Sequence, residues 1–320
     1  MLHLRIISPA DSTAAVLDVL RDSAAVTHLI VLDGAARVPE GDVLLCDVVR
    51  EGGSAVLEEL RGLGIENSGS IAIENVDVSL SASAERAAEA APGLGADAVV
   101  WEEVEQRTEE ETRLSFTYLA FFVVATIIAA IGVLLDQPIL IVGAMVVGPE
   151  FGPLAALCVG LVRGRFGVVG RSASALVVGF AVSMVVTVFA TWGMTALGLV
   201  NRSMLLAERP LTDFIWRPDA LSWIVGFLAG IAGMLSLTSA KSGALVGVLI
   251  SVTTVPAAAN AAVALAYGVG HEAVGSAVQL LINLAAIVTA GVLTLGVQRL
   301  WWRHRNALPP RRNPFRRAAR

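Results

Sequence analysis

Residues 115–135 contain no charged side chain, and five more apolar segments follow, at 139–162, 168–199, 220–239, 242–268 and 273–300. At about 1.5 Å of rise per helical residue each reaches about 30 Å or more, the thickness of a hydrocarbon layer. Lipid offers no water to pair with N–H and C=O groups, so such segments are driven to helix, where the backbone pairs with itself. The expected fold is therefore an α-helical polytopic membrane protein with six spans.

The rest of the composition fits that constraint. Only 16% of the residues are charged and 55% are hydrophobic, whereas soluble domains carry about 25% charged residues. The charge is also unevenly placed. Residues 1–114 hold 22 acids against 8 bases, residues 115–298 hold 6 against 7, and residues 299–320 hold 8 arginines and no acid. This excludes a single soluble domain, a disordered chain and a disulfide-stapled module, and Cys46 and Cys158 have no metal-ligand or disulfide spacing. The chain divides into a cytoplasmic head (1–80), a helical connector (81–114), a first membrane repeat (115–200), an outer loop (201–219), a second repeat (220–300) and a basic cytoplasmic tail (301–320).

The first twenty residues alternate apolar and polar letters and carry Asp11 and Asp18, unlike a signal peptide. With the head inside the cell, the inner loops hold Arg163, Arg165, Arg171 and Lys241, then the arginine tail. The outer loops hold a mixed set, including Arg209, Glu208 and Glu272. Positive charge inside, with both termini cytoplasmic, suits an even number of spans in the cell's inner membrane.

Periodicity in the head predicts strand, helix, strand, strand, helix, strand, the ferredoxin-like βαββαβ plan of an α+β domain. Leu2, Leu4 and Ile6 alternate with His3 and Arg5. Residues 26–32 form a second strand ended by Asp33-Gly34, and 43–49 form a third. Gly52-Gly53-Ser54 opens a helix with Ser54 as its cap, and 70–78 closes the sheet. His3 and His28 read as half-buried strand positions. Helices are expected at 81–91 and 101–113, separated by Pro92-Gly93, with the glutamates from Glu102 to Glu111 on a solvated connector.

Two membrane segments are interrupted in matching places. Gly148-Pro149-Glu150-Phe151-Gly152-Pro153 lies in the middle of span two, and a small-residue stretch with Ser251, Thr253, Thr254 and Pro256 lies in span five. Setting Pro153 against Pro256 gives an offset of 103 and brings the flanking spans into approximate register. Each unit has three spans, so the second enters the membrane from the opposite side. The expectation is a 3+3 inverted repeat with broken second and fifth helices, the pattern that points to a transporter site near the bilayer midplane. Proline removes an N–H and blocks a carbonyl, and Glu150 places a carboxylate inside the break, where such groups mark pathways or paired sites. The candidate ion or solute pathway is Gly148, Pro149, Glu150, Gly152, Pro153, Ser251, Thr253, Thr254, Pro256 and Asn260. The same prolines and glycines also serve membrane helices as kinks and close-packing devices, as at Gly226/Gly230. Gln279 and Asn283 read as interhelical glue.

The segments Trp101-Glu-Glu-Val, Ile131-Gly-Val-Leu-Leu-Asp-Gln-Pro138 and Gly143-Ala-Met-Val-Val-Gly-Pro-Glu-Phe-Gly-Pro153 resemble the prokaryotic hydrophobic-domain membrane proteins grouped as domain of unknown function 389. Gly69-Ser-Ile-Ala-Ile and Val76-Asp-Val-Ser-Leu-Ser81 are similar to that family's soluble head. The resemblance covers about residues 2–300 and implies a multi-span membrane protein, with no catalytic or ligand residue to carry over.

The expected function is a transporter or channel-like permease for an ion or small polar solute, regulated by the head. The alternative is a membrane-anchored sensor or scaffold whose head binds a small effector. No serine elbow and no His/Asp/Glu cluster suggests an enzyme, a metal or a cofactor. The expected partners are the lipid bilayer and further copies of the chain in a homo-oligomer, with no nucleic acid.

Overall fold

The computed structural model describes residues 1–76, 78–90, 99–239, 247 and 253–306. These form two compact units, one built mainly on Met1–Val104 and the other on Glu105–Leu237 and the described residues from 247 to 297.

The first unit runs β1 (Leu2–Ser8), α1 (Thr13–Asp22), β2 (Val26–Arg37), β3 (Glu40–Val48), α2 (Arg50–Gly62), the one-turn α3 (Ile65–Ser68) and β4 (Ser70–Asn75). Its four-stranded sheet has the order β2-β3-β1-β4, and every neighbouring pair is antiparallel. The alternating residues Leu2, Leu4 and Ile6 share one face with Leu44, Cys46 and Val48. Val16 and Leu20 of α1 and Val56, Leu57 and Leu60 of α2 cover that face, and Val100 completes the core.

Three local expectations are corrected. β2 does not end at Asp33-Gly34 but continues to Arg37, because register shifts after Thr27 and after Leu32 absorb the turn-forming residues as bulges. Gly34 takes a positive φ of 60° and its N–H donates to Asp42 Oδ1 at 2.7 Å. Helix α2 begins at Arg50, with Val49 at the cap position, so Gly52-Gly53-Ser54 lies inside its first turns. A Cβ at Gly53 would stand 2.8 Å from Leu2 Cδ1, which explains the glycine by close packing. Ser54 donates its hydroxyl to Glu102 Oε2 at 2.9 Å and accepts from Trp101 N–H at 3.2 Å, so it ties the chain near residue 101 to α2 and is no cap. The third concerns His28, which is exposed, whereas His3 keeps its half-buried place in β1. His28 has a left-handed φ of 51° at the first bulge. Its Nδ1 lies 2.7 Å from Asp47 Oδ2, and His3 Nδ1 lies 2.8 Å from Asp47 Oδ1.

Two helices follow, α4 (Ala82–Ala90) and α5 (Trp101–Glu111); the expected Pro92-Gly93 break lies outside the described residues. The acidic stretch of α5 is not simply solvated. Glu105 is buried and accepts from Arg163 Nε at 2.7 Å and Arg165 Nη1 at 3.0 Å. Glu109 lies 3.2 Å from Arg165 Nη1. Charges that look like a solvated face in one dimension are neutralised by a loop about sixty residues further on.

The second unit is helical and apolar. It contains α6 (Phe116–Leu134), α7 (Pro138–Val147), α8 (Phe151–Arg163), α9 (Phe166–Ala196), the short α10 (Arg202–Leu206), a 3-10 turn (Asp213–Ile215), α11 (Ala220–Thr238), α12 (Thr254–Ala266) and α13 (Gly270–Asn306). Among the described residues four helices are long and apolar enough to cross a membrane, or five if the bent pair α7 and α8 is one span. The sequence had suggested six. Residues 240–246 and 248–252, the first part of the expected fifth span, lie outside the described residues.

Polar contacts fix the two ends of this bundle. Asp136, just beyond α6, accepts from Thr212 Oγ1 at 2.9 Å, so the loop around the 3-10 turn sits at the end of α6 remote from Ser115. Near the other end, Tyr118 donates its hydroxyl to Ala175 O at 3.1 Å. At the remote end, Trp192 Nε1 donates to Ala266 O at 2.9 Å and Thr195 bonds Tyr267 at 2.8 Å. Helix α12 therefore ends at the remote end, whereas α8 ends at Arg163 on the Ser115 side. Eleven of the thirteen residues of α12 are buried, and it packs against α6, α7 and α9. Gly226 and Gly230 of α11 meet Ala286 and Ala290 of α13. A Cβ at Gly230 would stand 2.8 Å from both the Ala290 Cβ and the Ile287 carbonyl, the small-residue packing the sequence suggested.

Candidate functional site

The helix of the second apolar segment stops at Val147 and restarts at Phe151, with a bend of 52° between the two parts. Gly148 keeps an N–H bond to Ala144 O at 3.0 Å but leaves the helix with ψ of 128°. Pro149 has no N–H to carry the ladder on. Pro153 falls in the first turn of α8, where a missing N–H costs nothing because first-turn N–H groups have no intrahelical acceptor. Glycines occupy the two crowded points. A Cβ at Gly148 would stand 2.9 Å from Val255 Cγ2, and one at Gly152 would overlap the Glu111 carboxylate.

Glu150 occupies the cap position of α8, but its side chain makes no cap hydrogen bond. It turns toward α12 and accepts from Thr254 Oγ1 at 2.7 Å. Its second carboxylate oxygen, Oε2, is buried without a partner, and the residue is 5% exposed. Thr254 is the first residue of α12, so Glu150 lies where two helices begin, each presenting unpaired N–H groups and a partial positive charge. The neighbouring Thr253 hydroxyl accepts from Asn283 Nδ2 on α13 at 3.0 Å.

The structure thus brings together Gly148, Pro149, Glu150, Gly152 and Pro153 with Thr253, Thr254 and Pro256. Ser251 lies outside the described residues. Asn260 belongs to a different cluster. Its Oδ1 accepts from Arg209 Nη1 at 3.1 Å and its Nδ2 donates to Ser276 Oγ at 2.7 Å. Arg209 Nη2 in turn lies 2.6 Å from Glu272 Oε2, and both side chains are almost fully buried. The sequence placed Arg209 and Glu272 in outer loops; their partnership spans sixty-three positions and has no local signature.

Helix α8 (Phe151–Arg163) and helix α12 (Thr254–Ala266) are both thirteen residues long, and each bound of the second stands 103 positions after its counterpart. Pro153 and Pro256 occupy the same place, the third residue of each helix.

Two cavities approach this region. One, of about 360 Å³, is lined by the end of α5, the start of α6 and the break, with Glu110, Glu111, Arg113, Gly148 and Gly152 among its walls. The other, of about 210 Å³, is lined by Asp219 and Ser222 at the remote end and by Thr253, Gln279 and Asn283 deeper in. Gln279 and Asn283 are four residues apart and so share a face of α13, the one sequence signal that could have marked them as a pair lining a site. The Oε1 of Gln279 is a second buried oxygen without a partner.

Residues 145–289 match the family described as Domain of unknown function (DUF389), the family that the stretch around Gly148-Pro149-Glu150 resembles; the match takes in the break, α12 and most of α13. An uncharacterized protein of Methanocaldococcus jannaschii is 24% identical over 213 residues, which cover 65% of this chain and 64% of that protein. The chain therefore spans slightly less than two thirds of that relative's length. No solved structure matches the chain.

Proposed function

We propose that this membrane protein is a transporter or channel-like permease for an ion or small polar solute, working at the break between α7 and α8 and at the start of α12. The observation that carries this reading is Glu150, a carboxylate 5% exposed within an apolar helical block, with one oxygen bonded to Thr254 and the other unpartnered. Burying such a group costs several kcal/mol unless it is compensated, and intramembrane acids are retained chiefly on pathways and at paired sites. A purely structural cap would hold the N–H groups of α8, and Glu150 does not.

The shared length and common offset of α8 and α12, which end at opposite ends of the bundle, support a 3+3 inverted repeat of six spans. The antiparallel order β2-β3-β1-β4 supports a ferredoxin-like head, to which we assign regulation through a small effector and no catalytic chemistry. The arginine distribution supports the cell membrane with both termini cytoplasmic, and the glycine-lined helix faces are compatible with a homo-oligomer.

The test is flux through the full chain reconstituted in liposomes. Glu150→Gln and Pro153→Ala should each lower transport of the cognate solute by about tenfold or more, which is about 1.4 kcal/mol in barrier. Flux equal to that of the wild type in both variants refutes the site.

A further inference from the structure

Resting on that reading, we infer that the transported species is a monovalent cation, a proton or an alkali ion, and that Gln279, Asn283 and Thr253 form the second half of its path. The two cavities open at opposite ends of the second unit. One is walled by Arg113 and Ser115 just before α6, the other by Asp219 and Ser222 at the start of α11, and the Asp136–Thr212 bond places the loop leading to α11 at the far end of α6. Between them lies a single polar seam. Glu150 is flanked on both sides by residues that wall the first cavity (Pro149 and Phe151), and Thr254 follows Thr253, which walls the second. The Thr254–Glu150 hydrogen bond joins the two, so it acts as the latch of a closed path.

The sign of the cargo follows from what the seam offers. Among the described residues its two buried, unpartnered atoms are both oxygens, Glu150 Oε2 and Gln279 Oε1. An unpartnered acceptor calls for a donor or a positive charge. The vestibules point the same way. Glu110 and Glu111 outnumber Arg113 in the first, and among the described residues Asp219 is the only charged wall of the second. A mouth lined by one sign of charge concentrates the opposite ion. The charge count limits the valence. Among the described residues Glu150 is the one acid in the seam, and a single carboxylate balances a single positive charge.

The experiment uses the full chain in liposomes with separate arms for protons, sodium, rubidium, chloride and a labelled neutral polyol. The expected result is flux in a cation arm alone, lowered about tenfold or more by Glu150→Gln and several-fold by Gln279→Leu and by Asn283→Leu. A proton signal without sodium or rubidium movement identifies the proton, and the converse identifies an alkali ion. Chloride or polyol flux with cation arms at the protein-free level overturns the cation while leaving the permease standing. Silence in every arm overturns both. Cation flux indifferent to Gln279→Leu and Asn283→Leu overturns the second half of the path. Gel filtration checks each variant. If Glu150→Gln fails to fold, Thr254→Val against Thr254→Ser asks the same question of the latch: the serine keeps the hydroxyl and restores flux, and equal flux in both refutes the latch.

Discussion

Replacing Arg209 with methionine removes the cation from an ion pair that is nearly sealed from solvent. The side chains of Arg209 and Glu272 are 3% and 5% exposed, and the pair is closed at 2.6 Å. Deleting one member of a buried pair leaves an uncompensated charge and costs about 3–5 kcal/mol, so Arg209→Met and Glu272→Leu should each be strongly destabilising. The double variant removes both charges. What it leaves exposed to loss is the Oδ1 of Asn260, which accepts from Arg209, while the bond from Asn260 to Ser276 survives. One unsatisfied acceptor costs about 1–3 kcal/mol, so the double variant should be more stable than either single one, with a coupling of about 3 kcal/mol or more. At about 2–4 °C per kcal/mol for a unit of this size, the single variants lose about 6–20 °C of apparent Tm and the double about 2–12 °C. Thermal unfolding of the full chain in one detergent, followed by calorimetry, measures all four corners of the cycle. Losses that simply add would show that the two charges do not depend on each other, and would return Asn260 to the pathway rather than to this supporting frame.

Two predictions concern the head. Burial works to raise the pKa of Asp47, but hydrogen bonds from His3 and His28, then the attraction of both rings, outweigh it and hold the carboxyl below its ordinary range. A lowered folded-state pKa gives stability that is complete above the unfolded value of about 3.9 and is lost as pH falls through the folded value. Protection of β1 and β3 amides, measured by hydrogen exchange on the full chain and corrected for intrinsic rate, should therefore decline below about pH 4. Asp47→Asn should cost about 1–3 kcal/mol at pH 7 and flatten that decline; an unchanged acid profile contradicts the assignment. Burial, with the Asp47 charge adding to it, pushes the Cys46 thiol up to about 12. A maleimide at pH 7.5 should leave Cys46 unmodified in the native chain and label it after denaturation, as read by mass spectrometry; complete native labelling within minutes refutes this.

How much of this was legible beforehand depended on whether a signal was local. The four long spans show in uninterrupted apolar runs, and the interruption at Gly148-Pro149 shows because proline acts on its own turn. The offset taken from two prolines reappears in the bounds of α8 and α12. Contacts made across the fold left no such trace. Glu105 sits among five other glutamates in α5, and only the approach of Arg163 and Arg165 distinguishes it. Arg209 and Glu272 counted only as outer-loop charges, because nothing local tells a charge paired across the fold from one that faces water. Asp33-Gly34 carries a strong turn signature, yet the ladder between β2 and β3 overrides it through bulges. The cavities depend on which side chains are missing between helices, a property no single segment contains.

The composition of α12 has a mechanical consequence. Seven of its thirteen residues are alanine, and it is enclosed by α6, α7 and α9. Large core side chains lock neighbouring helices together, since any slip forces them through unfavourable rotamers. Methyl groups have no rotamers to change, and a rod studded with them offers nearly the same outline at each angle. What fixes the register of such a rod is then its few polar bonds, those of Asn260 to Arg209 and Ser276 and that of Trp192 to the Ala266 carbonyl, and these set where Thr254 stands relative to Glu150.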